Sequence, residues 1–217
     1  MARIPIEVEN FYHVYNRGVD KRKVFLSDGE YQLFLRLLFL LNDQDVESPS
    51  RRLLLDEVEG TTARRPLVHL CAYCLMSNHY HLLLQECTPG GISKFMQRLG
   101  TAYTLIFNER HERSGALFQG KFKYKLIDDE AYLMAVIDYM HLNPNSRHDG
   151  EGEKSVGKLA DVDNYPWSSY HNYLGEKKNE NLLYRDCLRD FIEIPEDYRA
   201  WLKSQHDFES IGHLTFD

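Results

Sequence analysis

His79 and His81 flank Tyr80 inside an apolar run. On an extended strand, residues two apart project from one face with Cα atoms about 6.7 Å apart. Two imidazoles so placed can converge on one divalent ion, while Tyr80 turns to the opposite face. The pair alone is a weak signal, because packed or exposed histidines at this spacing arise often by chance. A second group lies further along the chain. Tyr132, Val136, Tyr139 and Asn143 are separated by four, three and four residues, which puts them on one stripe of a helix and makes Tyr139 and Asn143 neighbours. That stripe offers a candidate nucleophile and a candidate ligand. On spacing alone the plainer account is a packed aromatic and a C-terminal cap ahead of Pro144.

Cys71 and Cys74 form a C-x-x-C, but on a strand residues three apart face opposite sides and cannot share a metal. With Cys87 and Cys187 they are too few and too irregular for a disulfide framework, and they read as reduced thiols. His13, His69, His111 and His141 read as ordinary strand, core or surface histidines.

These residues need elements to hold them. Residues 11–17 are aromatic and β-branched and form a first strand, closed by Gly18 and the polar run to Lys23. Ser27 and Asp28 suit the start of an amphipathic helix running through Asn42, with Tyr31, Phe34, Leu35, Leu38 and Leu41 on its apolar face. Residues 66–77 and 79–86 are two apolar runs around a tight Ser77-Asn78 turn. Pro89-Gly90-Gly91 precedes a second helix, about 93–110. Residues 121–127 alternate basic and apolar side chains with the period of a strand. Asp128, Asp129 and Glu130 suit the positive end of a third helix, which ends near Asn143 because Pro144 disfavours continuation.

The order strand, helix, strand, strand, helix, strand, helix predicts an α+β fold. Its layout is ferredoxin-like, with helices packed on one face of an antiparallel sheet. Residues 1–145 form the catalytic domain, with 43–65 a mobile insertion. Residues 146–164 are a linker and 165–217 a C-terminal helical extension, with short helices near 167–174 and 195–205.

Hydrophobic residues make up 43% of the 217, as in a soluble globular protein. No run approaches the roughly 18 apolar residues of a membrane span, and no signal-peptide pattern opens the chain. A cytoplasmic protein without a membrane partner is expected. The net charge of −7 argues superficially against nucleic acid, but its distribution does not. Residues 1–130 carry 17 basic and 17 acidic side chains, so the whole acidic excess lies beyond them. Residues 91–127 carry 7 basic against 2 acidic. Arg17, Lys21, Arg22 and Lys23 form one basic cluster, and Lys121, Lys123 and Lys125 one face of a strand, both suited to phosphates. Merely solvated charge is the competing account.

The segment from Ala72 to Leu84, Ala-Tyr-Cys-Leu-Met-Ser-Asn-His-Tyr-His-Leu-Leu-Leu, resembles the signature of the single-tyrosine HUH transposases, in particular the REP-associated tyrosine transposases. The resemblance continues in order through Tyr12 to Gly18, Phe95-Met96-Gln97, Phe107-Asn108, Gly115 to Lys121, Asp138-Tyr139 to Asn143-Pro144, and Tyr165 to Tyr170. It implies that His79 and His81 are metal ligands, Tyr139 the nucleophile, and Asn143 a third ligand. Tyr80 replaces the usual aliphatic residue between the histidines, and Ser77 stands where proline is common; neither lies on the metal face.

The resemblance further implies a metal-dependent nuclease and strand transferase. It would act on single-stranded or hairpin DNA through a 5′-phosphotyrosine intermediate, with Mg²⁺ or Mn²⁺ as cofactor and a second copy of the chain as a candidate partner. Two alternatives stay open. One is a catalytically silent hairpin-DNA-binding protein of the same fold. The other is a phosphodiesterase in which water attacks and Tyr139 is structural.

Overall fold

A computed structural model describes residues 5–45, 64–145, 162–177 and 179–204. Its centre is a four-stranded sheet in the order β2-β3-β1-β4, antiparallel throughout. The strands are β1 (Phe11–Arg17), β2 (Val68–Met76), β3 (His79–Glu86) and β4 (Lys123–Ile127). Helix α1 (Asp28–Leu40) joins β1 to β2, α2 (Gly91–Arg110) joins β3 to β4, and α3 (Glu130–Leu142) follows β4. β1 and β2 run parallel on either side of β3, which is the split crossover of a ferredoxin-like fold.

The expectation that all helices share one face needs correcting. α1 and α2 pack with Tyr12, Val14, Tyr80, Leu82 and Leu84 in one core, whereas α3 packs with Phe11, Ala72, Cys74 and Leu83 in a second core on the other face. The alternation of β1 and β3 is apolar on both sides, so both faces had to be covered. Tyr80 points into the first core against Phe34 and Phe118, away from the histidines that flank it.

Local chemistry sets the boundaries. Asp129 caps α3 by accepting from the Tyr132 amide at 2.8 Å, as the acidic run implied. The Ser77 carbonyl in the β2–β3 turn accepts from Val24 at 2.7 Å and Phe25 at 3.0 Å, which ties the end of the first connection to the turn carrying the histidines. The fourth strand begins two residues later than its alternation suggested. Gly120, at φ +113°, bends the chain and donates back to the Phe118 carbonyl, so Lys121 and Phe122 precede the paired segment.

A register shift between Leu70 and Ala72 marks a bulge at Cys71. The extra residue turns Cys71 to the same face as Cys74, which overturns the strict alternation argued for that pair. Cys71 nevertheless meets a different thiol, described below. Of the 43–65 insertion, residues 46–63 lie outside the described part, as do 146–161 of the linker. At the end of the latter, Val162 is fully buried in the second core.

The C-terminal segment completes that core. Short helices α4 (Tyr170–Tyr173) and α5 (Tyr198–Ser204) occur near the expected positions, and Tyr170, Tyr173 and Tyr198 bury their rings with those of α3. Before α4, Trp167 and Ser169 bond to the outer edge of β2: Leu75 N–H donates to the Trp167 carbonyl and Ser169 N–H to the Tyr73 carbonyl, each at 2.9 Å. Trp167 then stacks on Tyr31 of α1 with ring centroids 4.6 Å apart.

Candidate active site and nucleic-acid surface

His79 and His81 project from β3 onto the face that α3 covers, with ring centroids 4.9 Å apart and planes nearly perpendicular. Each ring is held through Nδ1. The Asn78 carboxamide oxygen lies 2.5 Å from His79 Nδ1, and the same side chain donates to the Lys21 carbonyl at 3.2 Å. His13 Nε2 lies 2.8 Å from His81 Nδ1. When both Nδ1–H groups donate, both Nε2 lone pairs face the site, which is the tautomer a metal ligand requires.

The third helix supplies the remaining groups. Asn143 caps α3 and brings Nδ2 to 3.5 Å from His81 Nε2; turning the carboxamide over puts its oxygen in the same place. The Tyr139 ring stands edge-on to His81, centroids 5.6 Å apart, and is half-buried. His79, His81, Tyr139 and Asn143 therefore meet, although they come from a strand and a helix about sixty residues apart. Among the described residues no three His, Cys, Asp or Glu side chains form a metal-holding group. Beside the two imidazoles the amide oxygen of Asn143 is within reach as a further donor, and two imidazoles with one carboxamide are compatible with a divalent first-row ion or Mg²⁺.

Sequence reasoning missed the contact of His13 with His81. His13 is fully buried, and desolvation, aided by the Lys125 charge, lowers its pKa to about 3, so it is neutral and can accept from His81. Its signal was the alternation of β1, which places residues 13, 15 and 17 on one face. Asn78 was missed because it read only as a turn residue.

A buried chain of hydrogen bonds steadies α3. The Tyr73 amide donates to Ser169 Oγ at 2.9 Å, Ser169 Oγ meets His141 Nε2 at 2.8 Å, and His141 Nδ1 meets the Tyr198 hydroxyl at 2.8 Å. Tyr198 donates to Asp138 at 2.7 Å and Trp201 Nε1 donates to its other oxygen at 2.9 Å. Burial lowers His141 to about 3, so one neutral tautomer serves the whole chain. Burial also raises Asp138 to about 6 against the pull of its two donors. The residue preceding Tyr139 is thus anchored, through the C-terminal segment, to the strand beside the histidines.

Of the candidate phosphate contacts, Lys123 and Lys125 pair with Tyr15 and His13 across β1 and β4, and Arg17 pairs with His79 across β1 and β3. All three therefore rise from the face that holds the histidines. Lys123 lies over the Tyr15 ring and Lys125 over the Tyr132 ring. Lys121 is exposed just before β4. Lys21 and Arg22 sit in the turn after β1, where Arg22 pairs with Asp20 at 3.8 Å. One member of the basic 91–127 stretch is withdrawn from any such surface: Arg98 is buried and donates to the Asp43 carbonyl at 2.8 Å. His111 pairs with Glu30. No helix among the described residues is long and apolar enough to cross a membrane.

Residues 46–143 match the family model described as "Transposase IS200 like", a span that contains all four site residues. The fold matches a solved structure of a REP-associated tyrosine transposase bound to a REP hairpin, with a TM-score of 0.53 and 14% identity over 86% of this chain and 89% of that one. A bacterial tRNA(His) guanylyltransferase-like protein in complex with GTP aligns with a TM-score of 0.42 at 10% identity, over 76% of this chain and 71% of that one. No curated protein matches the sequence.

Proposed function

We propose, from the match of residues 46–143 to the family model described as "Transposase IS200 like", that this chain is a transposase of that kind and cuts and rejoins single-stranded DNA with Tyr139 as nucleophile. His79, His81 and Asn143 would hold a divalent ion, Mg²⁺ or Mn²⁺. The observation that carries this reading is the convergence of a tyrosine and three ligand-type side chains at one spot, with Asn143 3.5 Å from His81 Nε2.

Held by these residues, such an ion would supply positive charge to offset the charge growing on a phosphate oxygen. The remaining work falls to the protein. Asn78 and His13 keep both Nε2 atoms directed at the site. α3 sets the Tyr139 ring beside His81, and the bonds on Asp138 would limit the drift of that helix. A phenol has an ordinary pKa of about 10, so Tyr139 must lose its proton as it attacks. Its oxygen bonds to the phosphorus, the 3′-oxygen leaves and takes a proton, and a 5′-phosphotyrosine remains. The phosphodiester is exchanged for another ester of similar energy, so a free 3′-hydroxyl can reverse the step without ATP.

Arg17, Lys123 and Lys125 would bind phosphates of the incoming strand, and Lys21, Arg22 and Lys121 would extend that contact along the turn and strand ends. The REP hairpin carried by the structural neighbour and this basic face support hairpin DNA as the partner. We take residues 1–145 as the catalytic unit and 165–217 as a C-terminal extension, of which Trp167, Ser169 and Tyr198 bond to β2 and α3.

The test is incubation with a labelled hairpin oligonucleotide and Mg²⁺, followed by denaturing electrophoresis. Wild-type protein is expected to yield a covalent adduct and a shortened strand; Tyr139→Phe yields neither. Cleavage that persists in Tyr139→Phe without an adduct would make water the nucleophile. Binding without cleavage by the wild type would make the protein a hairpin-binding module.

A further inference from the structure

At the other end of β2 and β3 from His79 and His81, on the same face of the sheet, four sulfur and imidazole groups cluster where the C-terminal segment meets β2. Cys71, displaced by the bulge, is fully buried with Sγ 3.1 Å from Sγ of Cys187. Cys187 follows the end of the segment bound to β2 at Tyr184, whose N–H donates to the Leu70 carbonyl at 2.9 Å. It is half-exposed and lines an open cavity of about 350 Å³ with His69, Asn172, Tyr184 and Arg185. The His69 ring is fixed from two sides: Nδ1 bonds to the Gln85 side-chain oxygen at 2.9 Å, and its face stacks on Tyr184. That leaves Nε2 for the sulfurs.

We infer that Cys71 and Cys187 are a peroxide-responsive dithiol that closes to a disulfide fastening the C-terminal segment to β2. Cys187 is the attacking thiol, because it is the one that solvent reaches. Its hydrogen bond with Cys71 and its contact with His69 hold the Cys187 thiol below its ordinary range, while burial pushes Cys71 up. The two thiols thus differ in the way a reactive and a resolving cysteine should. In the first step the Cys187 thiolate attacks one oxygen of hydrogen peroxide, giving a sulfenic acid and hydroxide. In the second, Cys71 displaces the sulfenic hydroxyl, which leaves as water with the Cys71 proton, and the sulfur–sulfur bond forms. Two thiols and one peroxide become one disulfide and two waters. In a reducing compartment the pair rests as the dithiol. Cys87 also contacts His69 and tests the specificity of the pairing.

The experiment treats full-length protein with hydrogen peroxide, blocks remaining thiols, and maps peptides without reduction. Expected is a peptide joining Cys71 to Cys187, lighter by two hydrogens than its parts, together with a rise in the thermal midpoint that dithiothreitol reverses. Cys187→Ser abolishes both effects, and because that position is half-exposed the variant keeps its fold. Cys74→Ser and Cys87→Ser retain the cross-link, and His69→Asn slows its formation. A cross-link between Cys71 and Cys74, or oxidation of Cys187 to the sulfinic acid with no cross-link, would overturn the assignment. Native mass spectrometry of untreated protein supplies a further check: a stoichiometric zinc ion that protects the thiols would make the cluster a metal site instead.

Discussion

Substituting Asp138 by Asn tests whether the anchored helix holds a carboxyl group away from water. Burial raises that carboxyl from 3.8 to about 6. Between those values the folded chain binds more protons than the unfolded chain, so stability falls as pH rises through the window. The contribution of protonated Asp138 is complete below the unfolded value and lost above the folded one. That difference corresponds to about 3 kcal/mol. His13 and His141 act with the opposite sign. Each is lowered from 6.5 to about 3, so the stability they contribute above 6.5 is lost as the pH falls toward 3. The wild-type profile sums these opposed slopes, whereas the difference between wild type and Asp138→Asn isolates the carboxyl. Urea unfolding followed by tryptophan fluorescence suits the measurement, because Trp201 donates directly to Asp138. The wild type's advantage over the variant should shrink by about 3 kcal/mol between about pH 4 and pH 7, equivalent to roughly 6–12 °C in thermal midpoint for a domain of this size. A difference that does not vary with pH would refute the reasoning: the carboxyl would then titrate normally, and the bonds from Tyr198 and Trp201 would not be closed off from solvent.

Asn78→Ala removes the acceptor that fixes the His79 ring. Isothermal titration with Mn²⁺ should show affinity lower by about 10- to 100-fold with little change in thermal midpoint; unchanged affinity would mean that the ring needs no such support. His13→Phe keeps most of the buried volume but deletes the partner of His81 Nδ1, and is expected to cut hairpin cleavage about 10-fold or more while circular dichroism stays native. Lys123→Ala and Lys125→Ala should each flatten the slope of log binding constant against log salt by about 0.7 to 1 for a single strand, measured by fluorescence anisotropy. Gly91→Ala places a Cβ 2.4 Å from the Leu67 carbonyl oxygen. The backbone must move, and urea unfolding should register a loss of about 1–3 kcal/mol.

The β strands and first two helices were legible because their signals are local. Phe11–Arg17 and His79–Glu86 carry β-branched and aromatic residues between turn formers, and α1 shows the spacing of an amphipathic helix. The alternation of β3 correctly sent Tyr80 one way and both histidines the other. It failed at Cys71, where the bulge adds a residue that no periodicity announces. The placement of α3 on the opposite face was hidden for a related reason: Phe11, Leu83 and Ile127 are apolar on the outer side of strands whose inner side is apolar too, so hydrophobicity could not say which face the third helix would take. His13 and the Asp138–Tyr198–His141–Ser169 chain joined the site only through contacts between residues 28 to 68 positions apart. Such partners are invisible to any window along the chain. Lys123 and Lys125 were read as a face from spacing alone, and the pairing of β4 with β1 identified which face.

The bond between Trp167–Ser169 and the outer margin of β2 has a consequence for expression and evolution of shortened chains. An unsatisfied strand margin invites a second molecule to add on, and natural sheets suppress this by covering the margin or charging it. Here the two margins use different devices: β2 is covered by the Trp-Ser-Ser segment, and β4 carries lysines. A chain ending before Tyr165 would lose the cover while keeping an apolar strand of nine residues, so it should precipitate or form ribbons through β2 whatever becomes of its chemistry. The Trp-Ser-Ser segment thus caps the strand margin, and truncations that remove it are expected to act on solubility before they act on the candidate site.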